Sequence, residues 1–484
     1  MARRVSERRV SRTSAVLAVV AHPTVQIVRF LAKVALAWFV APDVFGEVAF
    51  AGLVAWGLGH VVTLGLDETI VIAPRMDGRR IARFRRLHHV AGLTGAAIVA
   101  ALAWPLYGLA DYPALSTFLL VVAPTVWLSN LSVLPTARLV RSQRFRDLYL
   151  VDVAGVGALS VTLVTAAAAG AGGWSLILAW YANALAQWTM SSHLARDLHV
   201  PGNATTEIDD RDLLRFGRHC AGSAVARFLV GHIDRLATMA GAGRRALGVY
   251  EPAAHIAFAP SYWVANLAER WLLPALADRS DGDADRVLAG ALHGALVTLI
   301  PLHVALAAAA VPLVAIALPD TYADSAAILG WLAFAAGARC VELTATTGLK
   351  ARERGRAVSR LAAAKLTLLV GGVLLAMDDG AIAIARTVAI VSAADAILST
   401  ITVAAPQIRT FWVTLLRGAV CAVVWAAGFS FAVEAIVRAV NPSPLLHLGL
   451  LGVLGTGTWI VVRVGLDGER LRADAGKLRS WLRR

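Results

Sequence analysis

Four polar side chains, His22, Gln26, Arg29 and Lys33, interrupt an apolar run over residues 14–40. At about 100° per residue they fall within roughly a 60° sector of a helix, so they form one stripe. The chemistry open to that stripe is oxyanion binding: a guanidinium and an ammonium one turn apart can hold a phosphate or carboxylate, while an imidazole and an amide add hydrogen bonds. Arg29 lies about 22 Å of helix from residue 14 and nearly as far from Pro42, too deep for its side chain to reach either headgroup layer. It must face protein or water. A carrier of anionic cargo needs a cation there; the alternative is a structural pair with a carboxylate on a neighbouring helix. Pro23 removes one backbone hydrogen bond and is expected to kink the run.

Further charges lie in later apolar runs. Arg227 sits in Ala226-Arg227-Phe228-Leu229, an echo of Val28-Arg29-Phe30-Leu31. Asp234 and Arg235 fall near the outer end of the same run, where they are either a gate or coupling site or an ordinary solvated helix-end pair. Arg270, beside Glu269, lies toward the cytoplasmic end of the next run; it is placed to meet an incoming anion or to snorkel. Arg339 and Glu342 are one turn apart and are expected to neutralise each other.

The elements that must position these groups follow from composition. The chain has 484 residues, of which 58% are hydrophobic and 16% charged, with a mean hydropathy of +0.66. That is too apolar for a soluble protein of this length, and about 14 runs of 18–25 residues read as membrane spans. The net charge of +14 comes from short clusters between the runs, which is the pattern of topology rather than of nucleic-acid binding. With both termini cytoplasmic, the clusters Arg138 to Arg146 and Lys350 to Arg360 fall inside, while the turns at Asp43, Asp111, Gly172, Tyr322 and Asp379 carry no cation. Only Arg244, Arg245 and Arg438 break that alternation, so an even number of spans is expected. The first run is too long for a signal-peptide core. Cys220, Cys340 and Cys421 are scattered and have no ligand spacing, so no metal or cofactor is expected.

A polar linker at 196–212 splits the chain. Residues 1–195 are expected to form one six-helix lobe and residues 213–404 a second, with 405–484 adding two helices and a basic cytoplasmic tail. Arg144-Phe145-Arg146 and Arg354-Gly355-Arg356 echo each other across the divide, as do Phe45-Gly46-Glu47-Val48 and Leu247-Gly248-Val249-Tyr250. The shared order of these echoes implies a duplicated bundle. The expected fold is therefore an all-α polytopic membrane protein of two pseudo-symmetric six-helix lobes around a central cavity, with Arg29 and Arg227 facing that cavity.

Several stretches carry a resemblance: Val44-Phe45-Gly46-Glu47, Leu64-Gly65-Leu66, Arg141-Ser142-Gln143-Arg144-Phe145-Arg146, Gly170-Ala171-Gly172-Gly173-Trp174, Ile233-Asp234-Arg235-Leu236, Ala246 to Ala253 and Leu273-Pro274-Ala275-Leu276. Taken in order, from about Arg29 to Arg360, the series resembles the polysaccharide-transporter, or O-antigen flippase, branch of the multidrug/oligosaccharidyl-lipid/polysaccharide (MOP) flippase superfamily. Asp67-Glu68 and the basic Arg244-Arg245 depart from the family pattern. The resemblance implies a monomer in a bacterial cytoplasmic membrane that flips polyprenyl-diphosphate-linked oligosaccharide, with polymerase or ligase machinery as a possible docking partner. Arg29, Lys33, Arg227 and Arg270 would then meet the diphosphate, helped by His22 and Gln26.

Two other classes compete. A cation-coupled multidrug exporter of the same superfamily wants a carboxylate in its cavity, and the first span offers two cations and no acid. A membrane glycosyltransferase or polymer ligase needs catalytic groups on a sizeable outer loop, and the outer turns are short, with Asp378-Asp379 reading as a helix end. No P-loop, GxSxG or HExxH occurs in context, so no enzyme is expected.

Overall fold

A computed structural model describes residues 25, 27–29, 31–62, 78–105, 112, 114–198, 225–267, 272–277, 281–404, 409–440 and 443–482. Among them the secondary structure is entirely helical. Helical residues between 25 and 37 form α1, followed by α2 (Pro42–Val62), α3 (Gly78–Ala103), α4 (Leu115–Arg141), α5 (Phe145–Ala168) and α6 (Trp174–Leu194). Helix α7 covers 225–237 and leads through a π-turn, Thr238–Ala242, into α8 (Gly243–Leu267). Then come α9 (Asp281–Gly294), which continues through a second π-turn, Ala295–Leu299, into Ile300–Ala308, and α10 (Ser325–Ala351), α11 (Gly355–Ala376), α12 (Ala381–Ala404), α13 (Arg409–Val440) and α14 (Pro444–Leu482).

Nine helices among the described residues are long and apolar enough to cross a membrane, as a multi-pass membrane protein requires. Helices are the natural solution in lipid because each satisfies its own backbone hydrogen bonds. Tryptophans divide between two environments: Trp104 is 85% exposed, as an interfacial anchor would be, whereas Trp425 is 2% exposed and stacks on Phe429 at 4.7 Å between centroids.

The described residues gather into two compact units, Met1–His232 and Ile233–Arg484, so the division falls inside α7. In the first unit, close helix approach depends on small residues. A Cβ at Gly52 of α2 would lie 2.2 Å from the Trp180 ring of α6, and one at Gly155 of α5 would collide with Asn183 and Gln187. The α5–α6 turn uses Gly170 and Gly172 at φ 83° and 55°, a region L side chains rarely enter. In the second unit, α10 is the central element. Over half (56%) of its most apolar stretch is buried, against 6% for that of Pro444–Leu466 in α14, whose exposed apolar side chains suit contact with lipid. Around α10, Leu288, Leu292, Val341, Ala345, Leu349 and Val403 pack as one buried cluster.

Candidate functional site

Helix α1 has two unlike faces. Val25, Ala32 and Leu36 are buried, whereas Ile27, Leu31 and Trp38 are exposed apolar groups on the opposite side, as a lipid-facing surface should be. Arg29 sits at the edge of the buried face, partly covered, with Lys33 one turn on. Among the described residues the Arg29 Nε is buried and has no hydrogen-bond partner. The carboxylate whose charge reaches Arg29 is Asp152 of α5, an exposed side chain on the order of 10 Å along that helix from Phe145. The sequence leaves open a carboxylate on a neighbouring helix as a partner for Arg29 without identifying one; Asp152 lies in the fifth span. His22, Gln26 and Arg270 lie outside the described residues.

Arg227 is exposed on α7. Its neighbour Phe228 packs toward Gly57 of α2, where an added Cβ would lie 2.7 Å from the ring, and its ring lies 4.8 Å from that of His232, tilted by 47°. This part of α7 belongs to the same compact unit as α1, so Arg29 and Arg227 share a unit.

Asp234 and Arg235 are not a solvated helix-end pair. Both are buried, and they anchor a network with α8. Arg235 Nε meets Glu251 Oε1 at 2.9 Å, and its Nη1 lies 3.6 Å from Asp234 Oδ1. The Tyr250 hydroxyl donates to Asp234 Oδ2 at 2.7 Å, and His255 Nε2 lies 3.2 Å from Glu251 Oε2. The partners Tyr250 and Glu251 were visible in the Ala246 to Ala253 stretch, but only as a family signature. Their spacing from Arg235 spans a π-turn and a Gly243 at φ 84°, which no helical periodicity anticipates.

The expected Arg339–Glu342 neutralisation is corrected by the structure. Glu342 Oε2 is 3.3 Å from Lys365 Nζ of α11, and that ammonium also lies 2.8 Å from Asp395 Oδ2 of α12. Arg339 instead lies over two rings of α8, 5.8 Å from the Phe258 centroid and 5.9 Å from that of Tyr262. The cross-helix ammonium wins over the neighbour along the helix because it reaches two carboxylates at once, the half-buried Glu342 and the buried Asp395.

At the end of the α4–α5 loop, Arg144 binds three partners: Asp147, Asp197 (2.9 and 3.1 Å) and the Leu194 carbonyl (3.1 Å). The hydrogen bond from Arg144, with its charge, holds the Asp197 carboxyl below the usual carboxylate range, and Asp197 in turn raises Arg144. The α10–α11 loop repeats this geometry. Gln143 and Glu353 have φ 54° and 56°, the Arg144 and Arg354 amides donate to Leu139 and Leu349 carbonyls at 3.1 and 3.0 Å, and Arg354 Nη1 donates to the Thr402 carbonyl at 3.2 Å.

A family model described as polysaccharide biosynthesis protein matches residues 35–327. No curated protein sequence matches the chain. Among solved structures, the lipid II flippase MurJ in its inward closed conformation aligns with a TM-score of 0.71 at 11% identity, covering 94% of this chain and 100% of that one. An inward-facing multidrug resistance MATE family transporter of the MOP superfamily aligns at 0.57 and 15% identity, over 79% of this chain and 94% of that one. A MATE structure in a bent conformation aligns at 0.56 and 14% identity, over 84% and 97%. These likenesses establish the fold.

Proposed function

Since the chain belongs to the polysaccharide biosynthesis protein family and has the MOP superfamily fold, we propose that it flips polyprenyl-diphosphate-linked oligosaccharide across a bacterial cytoplasmic membrane by alternating access. The observation that carries this reading is Arg29: a guanidinium deep in an apolar span, on the side of α1 away from its exposed apolar face, with a buried Nε that meets no acceptor among the described residues. A diphosphate oxygen is the acceptor such a donor lacks. Lys33 adds charge one turn away, and the exposed Arg227 belongs to the same unit. The lipid tail need not enter; it stays in the bilayer while the charged head crosses through water and cations. The division proposed for the carrier is two duplicated bundles, 1–195 and 213–404, joined by a cytoplasmic linker and followed by two further helices, with both termini inside. Polymerase or ligase machinery is the partner that would receive the flipped glycan.

Surface glycan in cells carrying Arg29→Ala tests the reading. The variant is expected to insert normally and to abolish surface polymer, and Arg29→Lys to restore part of it. Full export by Arg29→Ala would remove the role given to this residue.

A second reading, cation-coupled drug export, draws on Asp152, an exposed acid within electrostatic reach of Arg29. Asp152→Asn separates the two. Under glycan flipping it lowers export only a few-fold, since it removes a countercharge rather than a substrate ligand; under drug export it abolishes both efflux and ion dependence.

A further inference from the structure

Arg339 lies near the middle of α10, about 21 Å of helix from Ser325 and about 18 Å from Ala351, out of reach of either headgroup layer. Its neighbours Ala335, Ala336, Gly337, Ala338 and Cys340 are buried, while Arg339 itself is partly exposed. Among the described residues, Glu342 and Asp395 are engaged by Lys365, and Glu251 by Arg235 and His255. Among the described residues no carboxylate forms an ion pair with Arg339. Its contacts are the two aromatic rings of α8, Phe258 and Tyr262, and Tyr262 is 43% exposed. At these distances the guanidinium makes cation–π contacts, which engage its charge and consume none of its N–H donors, so a two-oxygen acceptor can still be bound. A cation at this depth with an exposed ring beside it is poorly placed against lipid and well placed against a sugar bearing an oxyanion.

We propose that Arg339, cradled by Phe258 and Tyr262, is a binding site of the second unit for an oxyanion next to a sugar ring. The guanidinium edge takes the oxyanion and the exposed face of Tyr262 takes the sugar. The inference rests on the glycan-carrier reading above and adds a ligand contact in a unit that lacks α1. Two oxyanions of a lipid-linked glycan fit the chemistry, its diphosphate and the carboxylate of an acidic sugar.

Binding of three probes to the purified full-length protein decides the matter: a short-chain polyprenyl diphosphate, the same lipid bearing a neutral N-acetylhexosamine, and the same lipid bearing a uronic acid. Arg339→Gln is expected to weaken binding about tenfold or more. Loss with all three probes assigns the diphosphate; loss with the uronic acid probe alone assigns the carboxylate. Tyr262→Ala is expected to weaken the two sugar-bearing probes severalfold and to spare the bare diphosphate. Wild-type affinity of Arg339→Gln for all three, while Arg29→Ala weakens them, overturns the site and leaves the carrier reading standing. Failure of the wild-type protein to bind any probe overturns both. If Arg339→Gln does not fold, Tyr262→Ala decides, and unchanged affinity for the sugar-bearing probes overturns the proposal.

Discussion

Arg29 in the first unit and Arg235 in the second are both arginines taken out of bulk water, yet they are treated in opposite ways. Arg235 is saturated: Glu251 and Asp234 neutralise it, and Tyr250 occupies a second oxygen of Asp234. Among the described residues the buried Arg29 Nε has no acceptor, and the carboxylate charge that reaches it is that of Asp152. A saturated buried cation serves architecture, because its ligands are built in and removing it strands them. An incompletely answered one costs stability in the resting protein and is retained where something else completes it. On the proposed reading, the contrast separates a residue that holds α7 to α8 from one that would take cargo.

The largest effect expected from breaking this contrast is on Arg235. Arg235→Met leaves two buried carboxylates facing each other, and a loss of about 3–5 kcal/mol is expected, read as a large fall in thermal unfolding temperature or failure to accumulate in the membrane. Next comes Arg29→Met, which fills similar volume without charge. Here stability is expected to stay within about 1 kcal/mol of wild type or to rise, while export falls about 100-fold. If the two substitutions destabilise equally, the distinction between architectural and cargo-binding arginines is lost.

The sequence made part of this legible. The echo between Arg144-Phe145-Arg146 and Arg354-Gly355-Arg356 marks two loops of the same geometry, down to the positive φ of Gln143 and Glu353 and the helix-end carbonyls that the arginines reach. Such loops are local, so a short motif can specify them. Arg29 and Lys33 were legible as neighbours on one side of α1 for the same reason, since periodicity fixes which residues share a face, while His22 and Gln26 lie outside the described residues. Cross-helix partners were not. Periodicity puts Glu342 beside Arg339, but Lys365 comes from another helix and reaches two acids. Asp152 is a single acid in an apolar run, and nothing in its own neighbourhood says that its charge bears on α1. For Asp234-Arg235 the sequence left open a gate or coupling site and a solvated helix-end pair, since an end of a span is usually wet; the π-turn after α7 brings Glu251 back to Arg235.

The smallest expected effect concerns a third arginine, outside the span, which sharpens the comparison by adding solvent. Arg144 has carboxylate partners like Arg235, but Asp197 lies at the surface, where water and salt weaken the pair. The sign of its pH dependence is fixed by the direction of the shift. Asp197 is more acidic folded than unfolded, so the stability it contributes is present above the ordinary carboxylate range and is lost as pH falls through its lower folded value. Arg144 is shifted upward from an already high value and does not titrate in that window. Thermal unfolding between pH 7 and about pH 3 should therefore fall slightly less steeply for Asp197→Asn than for wild type, and the difference should shrink at high salt. An equal acid slope at low salt would mean that solvent has already taken over what Asp197 does for Arg144, leaving Asp147 and the Leu194 carbonyl to hold the loop.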